Sequence, residues 1–368
     1  MKGEKNMFQS MVEFLDKRME SGAKGYDVIV YQSGREVFRH KNGYADYEKK
    51  APIEGNELYY LYSCSKPITC TAALQLFEKG LFSLDDKLSD YMPEFSEMFI
   101  EDKNGRRKAE NPILIRHLFE MTAGLDYELQ SPEFGECAKN TSGQCPTREA
   151  MKYLARRPIA FEPGTRWRYS LCHDVLAALV EVISGERFST YVKKNIFDPM
   201  GMHRSTYRLT EDVRAKVAPI YIYDEKEKKP VLLKIGISDF VIGSEYESGG
   251  AGCVSCTEDY IRFLEGVRTY KLLKKETVDM IRTDHIAAYG IDDTPYWKRE
   301  THGYSLGMRC SKGVKGYADF GWDGAAGAFM AIDIENKITV FYAQHLRSDP
   351  NNPNRHLVYD YARDALTK

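Results

Sequence analysis

The stretch Glu57-Leu58-Tyr59-Tyr60-Leu61-Tyr62-Ser63-Cys64-Ser65-Lys66-Pro67-Ile68-Thr69-Cys70-Thr71-Ala72-Ala73-Leu74-Gln75-Leu76-Phe77 decides how the chain is read. An aromatic-rich segment runs into a serine, a lysine follows three positions later, and the run beyond is apolar on nearly every side. That pattern predicts an extended approach to a buried helix, with Ser63 at its entrance. Residues i and i+3 share one helix face, so the Lys66 amine can stand beside the Ser63 hydroxyl. A serine hydroxyl is a weak nucleophile until a base takes its proton. A buried lysine can have its pKa lowered enough to serve as that base. A serine at a helix entrance can equally be an N-cap. A second Ser-x-x-Lys, Ser21-Gly22-Ala23-Lys24, has no apolar helix after it and reads as an exposed turn. On this stretch alone both readings of Ser63 stay open.

Outward from it, 368 residues allow a large core and two subdomains. A hydrophobic fraction of 43% and a charged fraction of 29% fit a soluble globular chain. Fifty-two basic against 54 acidic residues leave a net charge of −2, which gives no electrostatic case for nucleic acid or an anionic membrane. No apolar run reaches the length of a membrane span. The start, Met1-Lys2-Gly3-Glu4-Lys5-Asn6-Met7, lacks the apolar core of a signal peptide. The eight cysteines are scattered, and with that start they point to reduced thiols and a cytoplasmic protein.

Helical spacing covers residues 7–22, and residues 26–31 and 36–47 read as strands around a Ser33-Gly34 turn. Residues 101–110 and 126–146 read as loops, the second long enough to wall or cover a site. Helices follow at residues 113–121, 173–184, ended by Gly185, 187–196, 257–267 and 275–282. The charged run at residues 224–229 reads as a hairpin tip. Residues 303–308, 316–320, 328–334 and 337–344 read as strands, with Glu335-Asn336 turning between the last two, and a final helix runs from about residue 355 to 366. Strands at both ends and helices between predict an antiparallel sheet flanked by helices and built from both termini. Residues 1–69 and 206–368 would form that α/β domain, and residues 70–205 an inserted, mostly helical one. Ser63 would lie at the junction, where clefts commonly form.

Rival motifs are weaker. Gly303-Tyr304-Ser305-Leu306-Gly307 matches a nucleophile elbow, but turn residues follow it where a helix is required. Cys253-Val254-Ser255-Cys256 has no second cysteine pair or histidine at zinc spacing, and no histidines pair on a helix, so neither a metal nor another cofactor is expected. Asp174 would support a helix N-terminus through its charge, and His173 reads as structural.

Several stretches together resemble the serine β-lactamase and penicillin-binding-protein superfamily, on the side of the class C β-lactamases. They are Ser63-Cys64-Ser65-Lys66 with Gly80-Leu81-Phe82-Ser83-Leu84-Asp85-Asp86, and Ile115-Arg116-His117-Leu118 through Thr122-Ala123-Gly124-Leu125. Phe161-Glu162-Pro163-Gly164-Thr165-Arg166-Trp167-Arg168-Tyr169-Ser170, Ser248-Gly249-Gly250-Ala251-Gly252 and Phe320-Gly321-Trp322-Asp323-Gly324-Ala325-Ala326-Gly327-Ala328 complete the set. The resemblance implies a β-lactamase/transpeptidase-like fold and a serine hydrolase. Ser63 would be the nucleophile, Lys66 and Tyr169 the acid–base groups, with the choice of base left open. The backbone N–H groups of Ser63 and Ala325 would form an oxyanion hole. Two departures bear on substrate. Leu171 replaces the asparagine of the family's Tyr-x-Asn, and Trp322-Asp323-Gly324 replaces Lys-Thr-Gly. Both resemble the family VIII carboxylesterase branch, whose third motif is Trp-Gly-Gly. By that resemblance Leu171, Trp322, Asp323 and Gly324 would bind a small ester or amide substrate, Trp322 in an apolar pocket that favours uncharged esters. A β-lactamase or D-amino-acid peptidase on the same site, and a non-catalytic binding module, are the alternatives.

Overall fold

The computed structural model describes residues 7–102, 105–233, 240–291 and 300–367. The start at residues 1–6, and residues 103 and 104 of the charged loop, lie outside them. The main sheet is built from β1 (Gly25–Gln32), β2 (Arg35–Asp46), β3 (Ala51–Pro52), β4 (His302–Tyr304), β5 (Arg309–Ser311), β6 (Phe320–Asp323), β7 (Phe329–Asp333) and β8 (Ile338–Ala343). Its order is β4-β5-β6-β7-β8-β1-β2-β3, and every neighbouring pair is antiparallel. The two ends of the chain meet where β1 pairs with β8, Val28 opposite Tyr342. Ser33 and Gly34 turn the first hairpin with φ of 54° and 81°. Such left-handed pairs match the twist of the strands they join.

Among the described residues, seven longer helices accompany the sheet: α1 (Gln9–Ser21), α2 (Ser65–Glu78), α3 (Pro132–Asn140), α4 (Thr147–Leu154), α5 (Cys172–Ser184), α6 (Thr257–Arg268) and α7 (Leu357–Thr367). Period-two alternation sorts the sheet side chains into two layers. Tyr26, Val28, Val30, Phe329, Ala331, Val340 and Tyr342 pack under Met11 and Leu15 of α1 and Val358 and Ala362 of α7. Ile29, Met330, Ile332 and Phe341 join Tyr260, Phe263 and Leu264 of α6 in the larger cluster on the opposite face. That cluster continues through α2 and α5. Covered on both faces, β1 is buried from Gly25 to Val30.

α2 is buried from Ser65 to Leu74, as its apolar sequence predicts. Its polar groups find partners inside: the Thr69 hydroxyl donates to the Gly249 carbonyl at 2.7 Å, and the Cys253 N–H donates to Ser65 Oγ at 2.9 Å. α5 stops at Gly185, whose φ of 70° is the left-handed C-terminal stop expected there.

Four local expectations are corrected. The 126–146 loop contains α3, begun by Ser131, which accepts the Phe134 N–H, and by Pro132 in the first turn. That Ser-Pro-Glu start is a legible helix signal. The described part of residues 101–110 belongs to a hairpin, Phe99–Asp102 with Gly105–Lys108. The turn-rich segment after Ser305 contains β5, paired to β4 and β6. β6 starts at Phe320, where the 316–320 strand was expected to end. All eight cysteines are buried and free. No helix among the described residues is long and apolar enough to cross a membrane.

One buried carboxylate sets a pH dependence. Glu120 is fully buried, with Arg116 Nη1 3.8 Å and His285 Nδ1 3.5 Å from its Oε1. Burial pushes its carboxyl up to about 7, and the Arg116 charge opposes that only in part. The unfolded chain releases this proton near pH 4.5, the folded one near 7. The stability that Glu120 contributes is therefore whole below 4.5 and lost as pH rises through 7, on the order of 3 kcal/mol in all. Thermal melts should show the Tm of Glu120→Gln gaining a few degrees on the parent between pH 5 and pH 8. A constant gap would refute the assignment.

Candidate active site

The opening stretch becomes a short strand and a turn. Tyr59–Tyr60 pairs antiparallel with Val254–Ser255, a 3-10 turn spans Tyr62–Cys64, and α2 begins at Ser65. Cys64 holds the N-cap position of α2 and makes no side-chain cap. Tyr62, fully buried, has a φ of +47°. A non-glycine residue in that region stores strain, and packing must hold it there. The strain sits one residue before Ser63 and fixes the turn that presents it. Gly324 enforces the same packing, because a β-carbon there would come within 2.5 Å of the Leu61 carbonyl oxygen.

The structure brings Ser63, Lys66 and Tyr169 together. Ser63 Oγ shares a short hydrogen bond with the Tyr169 hydroxyl. Lys66, fully buried, points its Nζ at Ser63 Oγ from 3.2 Å and donates to the Gly250 carbonyl at 2.7 Å. The same ammonium lies 4.6 Å from the Tyr169 ring centre and 5.3 Å from that of Tyr127, a cation–π arrangement that helps hold a buried cation. Tyr127, Tyr169 and Trp322 form a near-parallel stack, with centroids 5.5 Å and 6.1 Å apart.

Asp174 lies in the first turn of α5, where its charge was expected, and has a further role there. It is fully buried and accepts from Ser248 Oγ at 2.6 Å and the Tyr246 hydroxyl at 2.8 Å. It thereby pins the loop before Gly250 to α5. Burial raises its carboxyl, while the Ser248 bond and the Lys66 charge pull it back. His173 is structural: burial, then the Lys66 charge, lower it to about 3, and its Nε2 lies 3.6 Å from Cys70 Sγ.

Gly250 sits where these groups converge. A β-carbon there would lie 2.6 Å from Asp174 Oδ2, 3.0 Å from the Tyr127 hydroxyl and 3.3 Å from Lys66 Nζ. Gly250→Ala should therefore lower kcat at least tenfold by displacing the lysine. Gly135→Ala, in open space on α3, should leave turnover unchanged. Steady-state kinetics on the two variants decide it, and equal activities would remove Gly250 from the site's support.

Beside Ser63 a cavity of about 240 Å³ opens, lined by Tyr127, Tyr169, Phe240, Arg309, Trp322, Asp323, Gly324, Ala325 and Arg355. Of the sequence-predicted substrate residues, Trp322, Asp323 and Gly324 are on it, with Ala325. Leu171 is not. It is buried in the apolar core at the start of α5, its N–H donating to the Asp126 carbonyl, and is corrected to a packing residue. Sequence reasoning missed Tyr127, Phe240, Arg309 and Arg355. Tyr127 follows the Thr122–Leu125 landmark closely enough to be suspected, whereas nothing local marks Arg355.

The decoys fall elsewhere. Ser305 is buried after β4, its hydroxyl donating to the Met308 carbonyl. Lys24 of the second Ser-x-x-Lys donates to the carbonyls of Met19 and Glu20 at the end of α1. Cys253 and Cys256 are buried thiols, raised by desolvation.

Comparison with known proteins bears on family and fold. The chain is 28% identical to the esterase EstB of Burkholderia gladioli over 296 residues, covering 74% of this chain and 73% of that protein. Its fold superposes on EstCE1, described as a hydrolase with promiscuous acyltransferase activity, with a TM-score of 0.80, 23% identity and all of both chains covered. Unliganded simvastatin synthase from Aspergillus terreus gives a TM-score of 0.76 at 22% identity, over 95% of this chain and 96% of that one. The profile of one family, described as Beta-lactamase, matches residues 11–366. This chain belongs to the beta-lactamase family, and it is an enzyme of the serine hydrolase class.

Proposed function

We propose that the enzyme cleaves small carboxylic esters through an acyl-enzyme on Ser63. The observation that carries this is the contact of Ser63 Oγ with both the Tyr169 hydroxyl and Lys66 Nζ beside an aromatic-lined cavity. Ser63 Oγ attacks the ester carbonyl carbon, and its proton passes to Lys66 acting as the neutral amine or to Tyr169 acting as the phenolate beside the Lys66 cation. The tetrahedral oxyanion is held by the backbone N–H groups of Ser63 and Ala325, donors of a kind worth about 3–4 kcal/mol each. Collapse breaks the bond to the alcohol oxygen, which takes the proton from Tyr169. Water, deprotonated by the same pair, then attacks the acyl carbon, and the carboxylic acid leaves as Ser63 recovers its proton.

An ester fits better than a β-lactam because Trp322 stands where the resemblance places a cationic residue. The similarity to EstB supports the same choice. With an alcohol in place of water, the acyl-enzyme would yield a new ester. Acyltransferases among the relatives, such as the monacolin J acid methylbutanoyltransferase of Aspergillus terreus, 28% identical over 243 residues, support that branch. The reading is tested by short p-nitrophenyl esters and by a fluorophosphonate, which should modify Ser63 alone. Absence of both turnover and labelling would overturn it in favour of a binding module.

A further inference from the structure

Among the described residues, two cationic side chains line the cavity, and each is held by a carboxylate at one end of the same strand. Arg309, 12% exposed, pairs with the buried Asp319, just before β6. Arg355, from the turn before α7, pairs with Asp323 at the end of β6, Nη2 to Oδ2 at 2.9 Å. Its Nη1 also donates to the Gly324 carbonyl at 3.0 Å. The two pairs differ in access. Asp319 is 3% exposed and also has His302 Nε2 at 3.7 Å. Asp323 is 37% exposed and borders the cavity.

Guanidinium groups bind carboxylates well, through two parallel N–H donors. A cavity bordered by two of them would select anionic substrates if either were uncovered. From this geometry we infer that Asp323 is the charge-selectivity residue of the site: by occupying Arg355 it masks a carboxylate-binding position and restricts the enzyme to uncharged esters. The inference rests on the esterase reading and adds its cause. The carboxylate at position 323, and not the indole of Trp322 alone, keeps acidic substrates out. Asp323 acts through Arg355 and is a positioning residue.

Two matched substrates test it: 3-butyryloxybenzoate, an anion, and 3-butyryloxybenzamide, its neutral isostere. The ratio of their kcat/KM values is the readout, because a merely structural lesion would lower both. In Asp323→Asn and Asp323→Ala the anion-to-amide ratio should rise at least tenfold over the parent, about 1.4 kcal/mol. The gain should shrink with added salt and vanish in Asp323→Asn/Arg355→Gln. A ratio within twofold of the parent, or a gain that survives loss of Arg355, overturns the inference. Calorimetric titration of benzoate against benzamide, in a Ser63→Ala background, reads the same position without turnover. Benzoate should bind the Asp323→Asn form at least tenfold more tightly than the parent form, and equal affinities would sink the idea even if ester cleavage is confirmed. Conversely, failure of Ser63 labelling would end the esterase reading and leave the benzoate result standing.

Discussion

Ser63→Ala is expected to lower kcat/KM for a short p-nitrophenyl ester by a factor on the order of 10⁴ or more. The size follows from what is lost. Without Oγ there is no acyl-enzyme, and only the oxyanion donors and the cavity remain to assist direct attack by water. The alanine should otherwise be benign, since Ser63 caps no helix and Cys64 holds the N-cap position. An unchanged Tm beside a collapsed rate would separate chemistry from folding. Ser21→Ala is the matched control: its hydroxyl, at the end of α1, accepts from Asn351 Nδ2 at 3.2 Å and is not part of the cavity lining, so turnover should persist. Retention of more than about a tenth of the activity in Ser63→Ala would remove this serine from the mechanism.

The second large effect is expected at Tyr169. Tyr169→Phe keeps the ring stacked between Tyr127 and Trp322 and removes only the hydroxyl that meets Ser63 Oγ. Loss of a positioned proton carrier typically costs 10²–10⁴-fold. Because the hydroxyl is proposed to act on the leaving alcohol and on the attacking water, acylation and deacylation should both slow. Pre-steady-state release of p-nitrophenol resolves the two phases, and Tyr169→Phe within tenfold of the parent in both would exclude Tyr169 as proton carrier. Lys66→Ala should cost activity and stability together. It leaves the Gly250 carbonyl without its donor and removes a cation that lowers the buried Asp174 carboxyl.

Asp174, Ser248, Tyr246 and Gly250 show how the site is braced. The nucleophile and lysine ride on α2, but the lysine's position is set by the loop that Asp174 ties to α5. Binding and chemistry are thus supported by three segments far apart in sequence. Substitutions at Tyr246 or Ser248 would reach Lys66 through that loop, without touching the cavity.

Much of this was legible in the chain itself. Alternation of β1, β7 and β8 and the all-round apolar α2 follow from local periodicity, because each residue type must match the burial of its own face. The Ser33-Gly34 turn and the stop at Gly185 follow from φ preferences carried by single residues. Boundaries failed where competing signals overlap. β5 hides among turn residues because its pairing to β4 and β6 outweighs its weak strand propensity. α3 was lost in a polar stretch although Ser131-Pro132-Glu133 announces it.

The sequence by itself determined the antiparallel sheet drawn from both ends, the buried helix behind Ser63, and the family-order motifs that single out Ser63, Lys66 and Tyr169. Only the tertiary structure decided what surrounds them. It placed Leu171 in the core, turned Asp174 toward the Gly250 loop, and brought Arg309 and Arg355 to the cavity with a carboxylate on each. The reason is physical: periodicity and turn chemistry act over a few residues, whereas the Ser63 site is a meeting of groups whose contacts span 3, 106 and 184 positions of the chain, fixed by packing that no local pattern encodes.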